Sequence, residues 1–184
     1  MTQREKYVPG PATGGRVNKE GDTWKLVLVR ELRHGPELVW NALTDPAQLT
    51  QWATFDADRN LGAVGPVTLA TLGAPQAAAE CVVRRSDKPK LLEYNWGGND
   101  LRWELEATDA GTRLTLWAMI PKRYIAWGAA GWHICFEVLE HLLAGDAMGR
   151  ITGPEAFKHD WQRLTAEYAD HLGVELPVTK ENSK

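Results

Sequence analysis

The sequence predicts an α+β protein in which a late amphipathic helix covers one face of a curved antiparallel sheet. Three observations predict this class. Residues 55–120 form a series of short runs with period-two hydrophobicity, separated by turn-forming residues. Two short helical patterns directly follow the first strand. A long helical pattern near the end of the chain carries the apolar stripe that would cover such a sheet.

The first strand and the two short helices are predicted from residues 23–52. Thr23–Leu32, TWKLVLVREL, alternates and is rich in β-branched and aromatic residues, which is typical of a strand. In HGPELVWNAL, Pro36 suits a first helical position and the apolar residues follow at helical spacing. A second short helix begins at Pro46 in TDPAQLTQW, where Asp45 is placed to cap it.

Five strand-like runs follow, and their short connections favour an antiparallel meander. In LRWELEA the leucines and Trp103 share one face, while Glu104 and Glu106 share the other and are interpreted as solubilising charge. One face of the sheet is therefore expected to be apolar and aromatic. The predicted turns are Gly73–Pro75, Ser86–Pro89, Gly97–Asp100 and Thr108–Gly111.

The late helix is predicted over Gly131–Gly145, GWHICFEVLEHLLAG. Its other face carries His133, Glu137 and His141 at i, i+4 and i+8. A straight helix spreads three such groups too far apart to converge on a metal ion, so we expect solvated surface there and no metal site. The core stripe, which we expect to face the sheet, consists of Trp132, Cys135, Phe136, Leu139, Leu142 and Leu143.

The two ends of the chain are predicted to lie outside the main domain. Residues 1–22, rich in Gly and Pro, are expected to form a flexible tail. Residues 146–173 are expected to form a helical extension, which packs on the domain or on a partner in a homodimer. Residues 174–184 are expected to be a polar tail. The extension begins with a Thr152/Glu155 capping box and carries the stripe Phe157, Trp161, Leu164, Tyr168 and Leu172.

Composition argues against several classes of function. A net charge of -3, a pI near 6.0 and the lack of a basic run give no support for nucleic-acid binding. No apolar run approaches the roughly 18 residues of a membrane helix, and the first residues lack the apolar core of a signal peptide. Cys81 and Cys135 do not make a disulfide framework, so we expect buried thiols in a reducing cytoplasm.

No catalytic signature is found. The glycines of NLGAVGP and PATGG lack the lysine and the strand-to-helix context of a phosphate-binding loop, and there is no Gly-x-Ser-x-Gly elbow. We therefore predict neither a catalytic residue nor a cofactor. A hidden acid–base pair stays open, with Tyr94, Arg102 and His133 as the groups concerned if the strand register were shifted.

Four stretches resemble bacterial homologues of the heat-shock-protein-90 ATPase activator family: VRELRHGPELVWNALTDPAQLTQW, LLEYNW, GTRLTLW and AAGWHICFEVLEHLLAG. The resemblance runs from about Trp24 to Gly145. That family belongs to the START-like, helix-grip (SRPBCC) superfamily, shared with birch-pollen-type allergens and polyketide cyclases. The resemblance implies a helix-grip domain over residues 23–145, with a hydrophobic cavity between the curved sheet and the long helix.

The function predicted on this basis is binding of a small apolar or aromatic molecule in that cavity. Nine tryptophans also suggest broad aromatic walls. The alternatives are a solid core that the aromatic side chains simply fill, a chaperone-associated interaction module, and a cyclase- or hydrolase-type enzyme using the same cavity. The expected lining is Trp132, Phe136, Leu139, Trp103, Tyr94 and Trp96, with Trp117 and Trp52 near an entrance.

Overall fold

A computed structural model describes residues 2–72 and 78–176. The predicted turn Gly73–Pro75 and most of the predicted polar tail lie outside these residues. Within the described chain, eight strands form one antiparallel sheet in the order β1-β2-β8-β7-β6-β5-β4-β3. The strands are β1 (Gly15–Glu20), β2 (Thr23–Leu32), β3 (Phe55–Ala57), β4 (Gly65–Thr71), β5 (Ala79–Asp87), β6 (Leu91–Trp96), β7 (Asn99–Thr108) and β8 (Gly111–Met119).

The helices lie before, between and after the strands. Two 3-10 turns, Lys122–Tyr124 and Gly153–Lys158, precede the last two helices. The predicted fold class, a helix-grip α+β protein, is confirmed: the sheet curls into a half-barrel around the long helix. The helices are α1 (Gln3–Lys6), α2 (Pro36–Thr44), α3 (Pro46–Trp52), α4 (Ile125–Leu143) and α5 (Trp161–Leu172).

Alternation along the strands gives the sheet its apolar inner face. Register places Trp103 opposite Leu116, and both side chains are fully buried. The residue between two inward side chains faces outward, as Arg102 and Trp117 do on paired strands. A register shift between Val83 and Arg85 marks a bulge in β5, a feature that bends a strand and increases its twist.

The two short helices after β2 form as predicted. The Asp45 side chain accepts a hydrogen bond from the Ala47 amide at 2.8 Å, which caps α3. Leu49 and Trp52 of α3 are buried, and α3 packs against α4. These helices therefore close one side of the interior.

Helix α4 begins at Ile125, earlier than the predicted start at Gly131. Its buried residues continue the stripe toward the N-terminus through Ile125 and Ala129. Phe136 and Leu139 are buried in the core, as is Trp132, which contacts Trp103 of the sheet. Trp132, Phe136 and Leu139 therefore face the sheet, as predicted, whereas Cys135 of the same stripe borders the space between α4 and α5.

The N-terminal segment differs from the expected tail. Gly15–Glu20 pairs with β2 as an antiparallel edge strand, joined to it by a two-residue turn at Gly21 and Asp22. Gly21 has a φ of 60°, which glycine adopts without steric cost. The turn residues Gly-Asp between two strand-like runs are a hairpin signal that the sequence analysis overlooked.

The predicted extension over residues 146–173 is not one continuous helix after Thr152. Asp160, with a φ of 52°, separates the 3-10 turn from α5, and the Thr152 side chain forms no cap. Leu164 and Tyr168 are fully buried, and α5 packs against α4 and β1 of the same chain. Much of its stripe is thus used within the chain, while Phe157 stays exposed. The domain boundaries themselves stay predictions.

No described helix combines the length and the apolar character needed to span a lipid bilayer.

Candidate functional site

The residues predicted to line a cavity gather around Trp103, in the layer between the sheet and α4. The Trp103 ring contacts Trp52, Trp132 and Phe136, with centroids 6.1, 5.4 and 6.0 Å apart and the rings edge to face. Its Nε1 donates to the Tyr94 hydroxyl at 3.0 Å. These aromatic side chains therefore pack against one another, in the edge-to-face geometry that aromatic pairs prefer.

Two further members of the predicted set lie in the same layer. Leu139 is fully buried, while Trp96 is half-buried with its centroid 6.0 Å from that of Trp132. Trp96 Nε1 donates to Thr71 Oγ1 at 3.0 Å. That these residues contact a ligand stays a prediction, because the contacts seen in the structure are with other side chains.

Trp117 lies elsewhere, and its predicted place near an entrance is wrong. Leu116 and Ala118 point into the core, so Trp117 points to the outer face of the sheet. There the Arg16 guanidinium carbon lies 5.3 Å from its ring centroid. Because side chains along β8 alternate between the two faces of the sheet, the Trp117 side chain points away from the interior.

An open groove of about 530 Å³ runs along another face of α4. It lies between α4, α5 and residues 151–157, and Thr54 stands at its border with the sheet. We call it the α4–α5 groove. Its described lining residues are Thr54, Trp127, Gly131, Cys135, Ile151, Thr152, Gly153, Ala156, Phe157, Trp161, Gln162, Thr165 and Leu176.

Gly131 creates much of the space in this groove. Trp127, Gly131 and Cys135 follow at i, i+4 and i+8, one position before Trp132 and Phe136 in each turn. A Cβ atom built on Gly131 meets no heavy atom within 4 Å. A larger residue at this position would therefore occupy the groove.

The α4 wall of the groove also includes a buried thiol. Cys135 is 1% exposed, and burial raises its pKa to about 12. The thiol is therefore neutral at physiological pH and acts as a small apolar surface. Cys81, the other free cysteine, is also buried, as predicted.

Aromatic rings form the rim of the groove. Trp161 contacts Trp127 and Phe157, with centroids 5.7 and 5.0 Å apart, and Tyr124 continues the row beside Trp127 at 5.8 Å. Phe157 is 54% exposed. A row of aromatic side chains at an open groove offers flat apolar surface to a ligand.

The polar groups of the groove are few and uncharged. Among the residues that the structure describes, no Asp, Glu, Lys, Arg or His lines it. Thr165 Oγ1 donates to the Trp161 carbonyl oxygen at 2.8 Å. Thr54 Oγ1 is buried and has no hydrogen-bond partner within the described structure.

Comparison with known families identifies the group to which this fold belongs. Residues 33–144 match the family described as "Activator of Hsp90 ATPase homolog 1-like protein". This match covers more than half of the 184-residue chain. The chain belongs to this family. Membership supports the helix-grip, ligand-binding type of fold without indicating a specific ligand.

Solved structures give the same fold at low sequence identity. One is the conserved protein of unknown function EF2215 from Enterococcus faecalis, with a TM-score of 0.68 and 20% identity, covering 88% of this chain and 91% of that one. Another is CalU16 from Micromonospora echinospora, with a TM-score of 0.60 and 20% identity, covering 89% and 98%. No curated protein has a significant match to the chain.

This family member also has a buried polar network on the face of α4 that was predicted to be solvated. His133 is only 1% exposed, so that prediction is wrong. Arg30 NH2 lies 2.9 Å from His133 Nδ1 and donates to it, and His133 Nε2 donates to Glu137 Oε1 at 3.0 Å. The histidine therefore bridges a cation and an anion.

The network also holds the N-terminal segment. The Tyr168 hydroxyl lies 2.9 Å from His133 Nδ1 and donates to the Thr13 carbonyl oxygen at 3.0 Å. The Tyr7 hydroxyl donates to Glu137 Oε2 at 2.5 Å. The polar face of α4 is therefore covered by α5 and by residues that the sequence analysis assigned to a tail.

The three residues weighed as a metal site do not act together. His141, at the end of α4, lies 3.4 Å from Asp146 and apart from the His133–Glu137 pair. Within residues 2–72 and 78–176, no group of three or more His, Cys, Asp and Glu side chains is arranged to hold a metal ion.

The three groups weighed for acid–base chemistry are also separated. Tyr94 lies in the interior, where burial raises the pKa of its hydroxyl. Arg102 lies on the outer face of the sheet between Glu93 and Glu104, and His133 lies in the network behind α4. The strand register is not shifted from the one that the sequence pattern predicts, so Tyr94, Arg102 and His133 do not converge.

Sequence reasoning missed the groove. Its walls come from separate parts of the chain, so no single pattern marks it. One available signal was Gly131, which is out of place in an apolar helix unless an open space or close packing requires it. The other was Trp127, an aromatic residue that the predicted stripe did not include.

Proposed function

We propose that the protein binds a small apolar molecule in the α4–α5 groove. The observation that carries the proposal is the open, aromatic-rimmed space above Gly131. Its volume of about 530 Å³ falls within the range of pockets that hold drug-sized molecules, and such pockets are mostly apolar. Family membership supports a ligand-binding fold in general.

The sequence suggested a different location, the layer between the sheet and α4. Tight contacts among Trp52, Trp103 and Phe136 oppose that location, because a ligand there would have to displace packed rings. A ligand in the groove displaces only solvent. Binding between the sheet and α4 is therefore the outcome that the test must distinguish.

The proposal places the protein in a reducing compartment, for which the cytoplasm is the simplest choice. Both cysteines are buried free thiols, and Cys135 contributes to the groove as a neutral group. Among the described lining residues, no side chain is suited to general acid–base catalysis at neutral pH. Binding rather than catalysis is the activity that this groove supports.

The test uses Gly131→Leu, which fills the groove, and the uncharged fluorescent probe N-phenyl-1-naphthylamine. We expect saturable probe binding to the parent protein and a loss of affinity of at least about tenfold in the variant, because the side chain occupies the ligand volume. Gly131→Ala, which adds one methyl group, and Ala166→Leu, on the exposed face of α5, are the controls and retain binding.

Two results would count against the proposal. If the folded parent protein shows no saturable binding of the probe, it does not have the proposed binding activity. If Gly131→Leu and the parent protein bind the probe with equal affinity, the ligand does not lie in the groove. The layer between the sheet and α4 is then the favoured site.

A second candidate function is association with an Hsp90-type chaperone, as the family description suggests. The observation that favours it is the exposed aromatic rim, in which Phe157 is 54% and Tyr124 37% exposed. We expect the protein to change the ATPase rate of a purified bacterial Hsp90 and the Phe157→Ser/Tyr124→Ser double variant to lose this effect. Probe binding without any effect on the ATPase rate would leave only the first function.

A further inference from the structure

We infer that one end of the molecule binds the surface of an anionic lipid bilayer, through a strip of cationic and aromatic side chains that leads to the rim of the α4–α5 groove. This surface lies where the β1–β2 turn meets the segment between β8 and α4. Binding of vesicles to it can be measured whether or not a ligand occupies the groove. We call it the cation–aromatic strip, and its members are Lys19, Trp24, Lys122, Arg123, Tyr124 and Trp127.

Two lysines and a tryptophan from separate elements form the first part of the strip. Trp24 stands near the start of β2, Lys19 near the end of β1, and Lys122 in the 3-10 turn before α4. The Nζ atoms of Lys19 and Lys122 lie 5.4 and 5.1 Å from the ring centroid of Trp24. Cation–π contacts of this kind hold both ammonium groups at the ring while they stay exposed to solvent.

The second part of the strip leads to the groove. The Arg123 guanidinium carbon lies 4.8 Å from the ring centroid of Tyr124. The ring centroids of Tyr124 and Trp127 are 5.8 Å apart, and Trp127 contacts Trp161 of the rim at 5.7 Å. Since Lys122 and Arg123 are neighbours in the chain, the contacts run from the β1–β2 turn to the rim.

Positive charge prevails at this end of the molecule, although the whole chain carries a net charge of -3. Residues 19–25 and 119–127 contain four cationic and two acidic side chains. Lys25 is paired with Glu20 at 2.7 Å. Within residues 2–72 and 78–176, the three cations of the strip form no ion pair with a carboxylate. They are therefore available to the headgroups of anionic lipids.

The aromatic side chains suit the interface between water and lipid. Tyr124 is 37% exposed, and Phe157, farther along the rim, is 54% exposed. Tryptophan and tyrosine rings settle at the level of the headgroups, where one part of the ring is apolar and another is wet. Binding of the strip to a bilayer places the groove rim beside the phase in which apolar molecules dissolve.

A single-stranded nucleic acid is the other large anion that binds cations and aromatic rings together, but its bases need open ring faces for stacking. Two ammonium groups already lie at the Trp24 ring, and a guanidinium group lies at the Tyr124 ring. A lipid surface needs these rings only at the depth of the headgroups. The geometry therefore favours the bilayer.

The test is co-sedimentation of the full chain with vesicles of phosphatidylcholine alone and with vesicles that also contain about 30% phosphatidylglycerol. We expect the affinity for the anionic vesicles to be at least about tenfold higher, because each lysine or arginine near the surface is attracted to anionic lipid. Raising the salt concentration from about 0.1 M to about 0.5 M should release most of the protein, since salt screens this attraction.

The decisive variant is Lys122→Glu/Arg123→Glu, which reverses two charges of the strip. We expect its affinity for the anionic vesicles to fall at least about tenfold. Arg85→Glu/Lys90→Glu is the matched control, because it makes the same change in net charge at two exposed positions. Those positions flank the β5–β6 turn, at the opposite end of the sheet, and the control should lose no more than about twofold in affinity.

A second pair of variants tests the aromatic part. We expect Phe157→Ser to weaken the binding of anionic vesicles about fivefold, because the exposed ring loses its burial in the interface. Leu38→Ser is the control: Leu38 is 44% exposed on α2, which follows the other end of β2. Its affinity for the vesicles should match that of the parent protein.

Thermal unfolding checks that each variant folds, and Lys122→Gln/Arg123→Gln carries the test if the charge reversal does not fold. No binding of anionic vesicles by the folded parent protein at low salt overturns the inference. Equal binding by Lys122→Glu/Arg123→Glu and its control also overturns it, as does binding of oligothymidylate through Lys122 and Arg123 with vesicles left unbound. Probe binding in the groove without vesicle binding leaves the proposed function standing and removes this inference alone.

Discussion

At the scale of single residues, the central finding is that histidine can be buried on the polar face of an amphipathic helix. His133 accepts from Arg30 and donates to Glu137, so both of its ring nitrogens are used. Arg30 also donates to the Tyr168 hydroxyl at 3.3 Å and Glu137 also accepts from the Tyr7 hydroxyl, and His133 joins these two charged groups. His133 therefore links the sheet to α4 at a point where unpaired charges would be costly.

We expect His133→Phe to lower the free energy of unfolding by about 3 kcal/mol, because the ring is retained but Arg30 and Glu137 lose their shared partner. Urea-induced unfolding measures the change. His141→Phe is the matched control, since His141 lies on the same helix but is partly exposed, and it should change stability little. Similar losses in the two variants would contradict a stabilising role for the network.

Glu137 gives a prediction about pH. Burial by itself raises the pKa of this carboxyl group, but hydrogen bonds from His133 and Tyr7 outweigh burial, and the pKa lies below the ordinary value of 4.5. A lowered pKa in the folded state contributes stability above pH 4.5, and this contribution is lost as the pH falls through the folded-state pKa.

The Glu137→Gln variant removes that titration. We expect the variant to be less stable than the parent protein at neutral pH, and the difference in unfolding free energy to shrink as the solution is acidified below pH 4.5. Denaturant unfolding at a series of pH values measures this difference. A difference that stays constant with pH would show that the carboxylate charge does not stabilise the fold.

At the scale of elements, β1 is the unexpected part of the fold. It is held at its start by Gly14, whose φ is 64° and whose Cβ position would lie 2.5 Å from the Val29 carbonyl oxygen. Gly21, in the β1–β2 turn, has a φ of 60° but open space around its Cβ position. The two glycines share a backbone conformation and differ in their surroundings.

This pair tests how tightly β1 is seated against β2. Gly21→Ala should cost about 1 kcal/mol, the strain of a left-handed residue. Gly14→Ala adds a clash with the backbone, so we expect it to cost at least twice as much and to raise hydrogen exchange in β1. Equal costs in thermal unfolding would contradict a close fit of the chain at Gly14.

The elements also show what sequence can and cannot predict. β2 and β4–β8, with α2 and α3, follow from local alternation, helical spacing and caps such as Asp45, all of which are readable within a short window. The burial of His133 is not local. It depends on α5 and on residues 7–14 lying against α4, which the composition of that N-terminal stretch did not indicate.

At the scale of the whole molecule, the layer between the sheet and α4 and the α4–α5 groove divide the aromatic residues between them. Most residues of the predicted binding set are in the first region, where they support one another. The number of tryptophans and the apolar stripe of the late helix predict an aromatic layer against the sheet. Neither of them reveals whether this layer encloses a cavity. Free space depends on distances between elements, and the open position at Gly131 becomes visible only once α5 is in place.

The most direct test of the groove is the position of a bound ligand, measured by intermolecular NOEs between 2-naphthol and the labelled protein. Binding in the groove should give NOEs from the naphthol ring to Gly131, Cys135 and Trp161. NOEs to Trp103 and Leu139 instead would place the ligand between the sheet and α4 and would contradict binding in the groove.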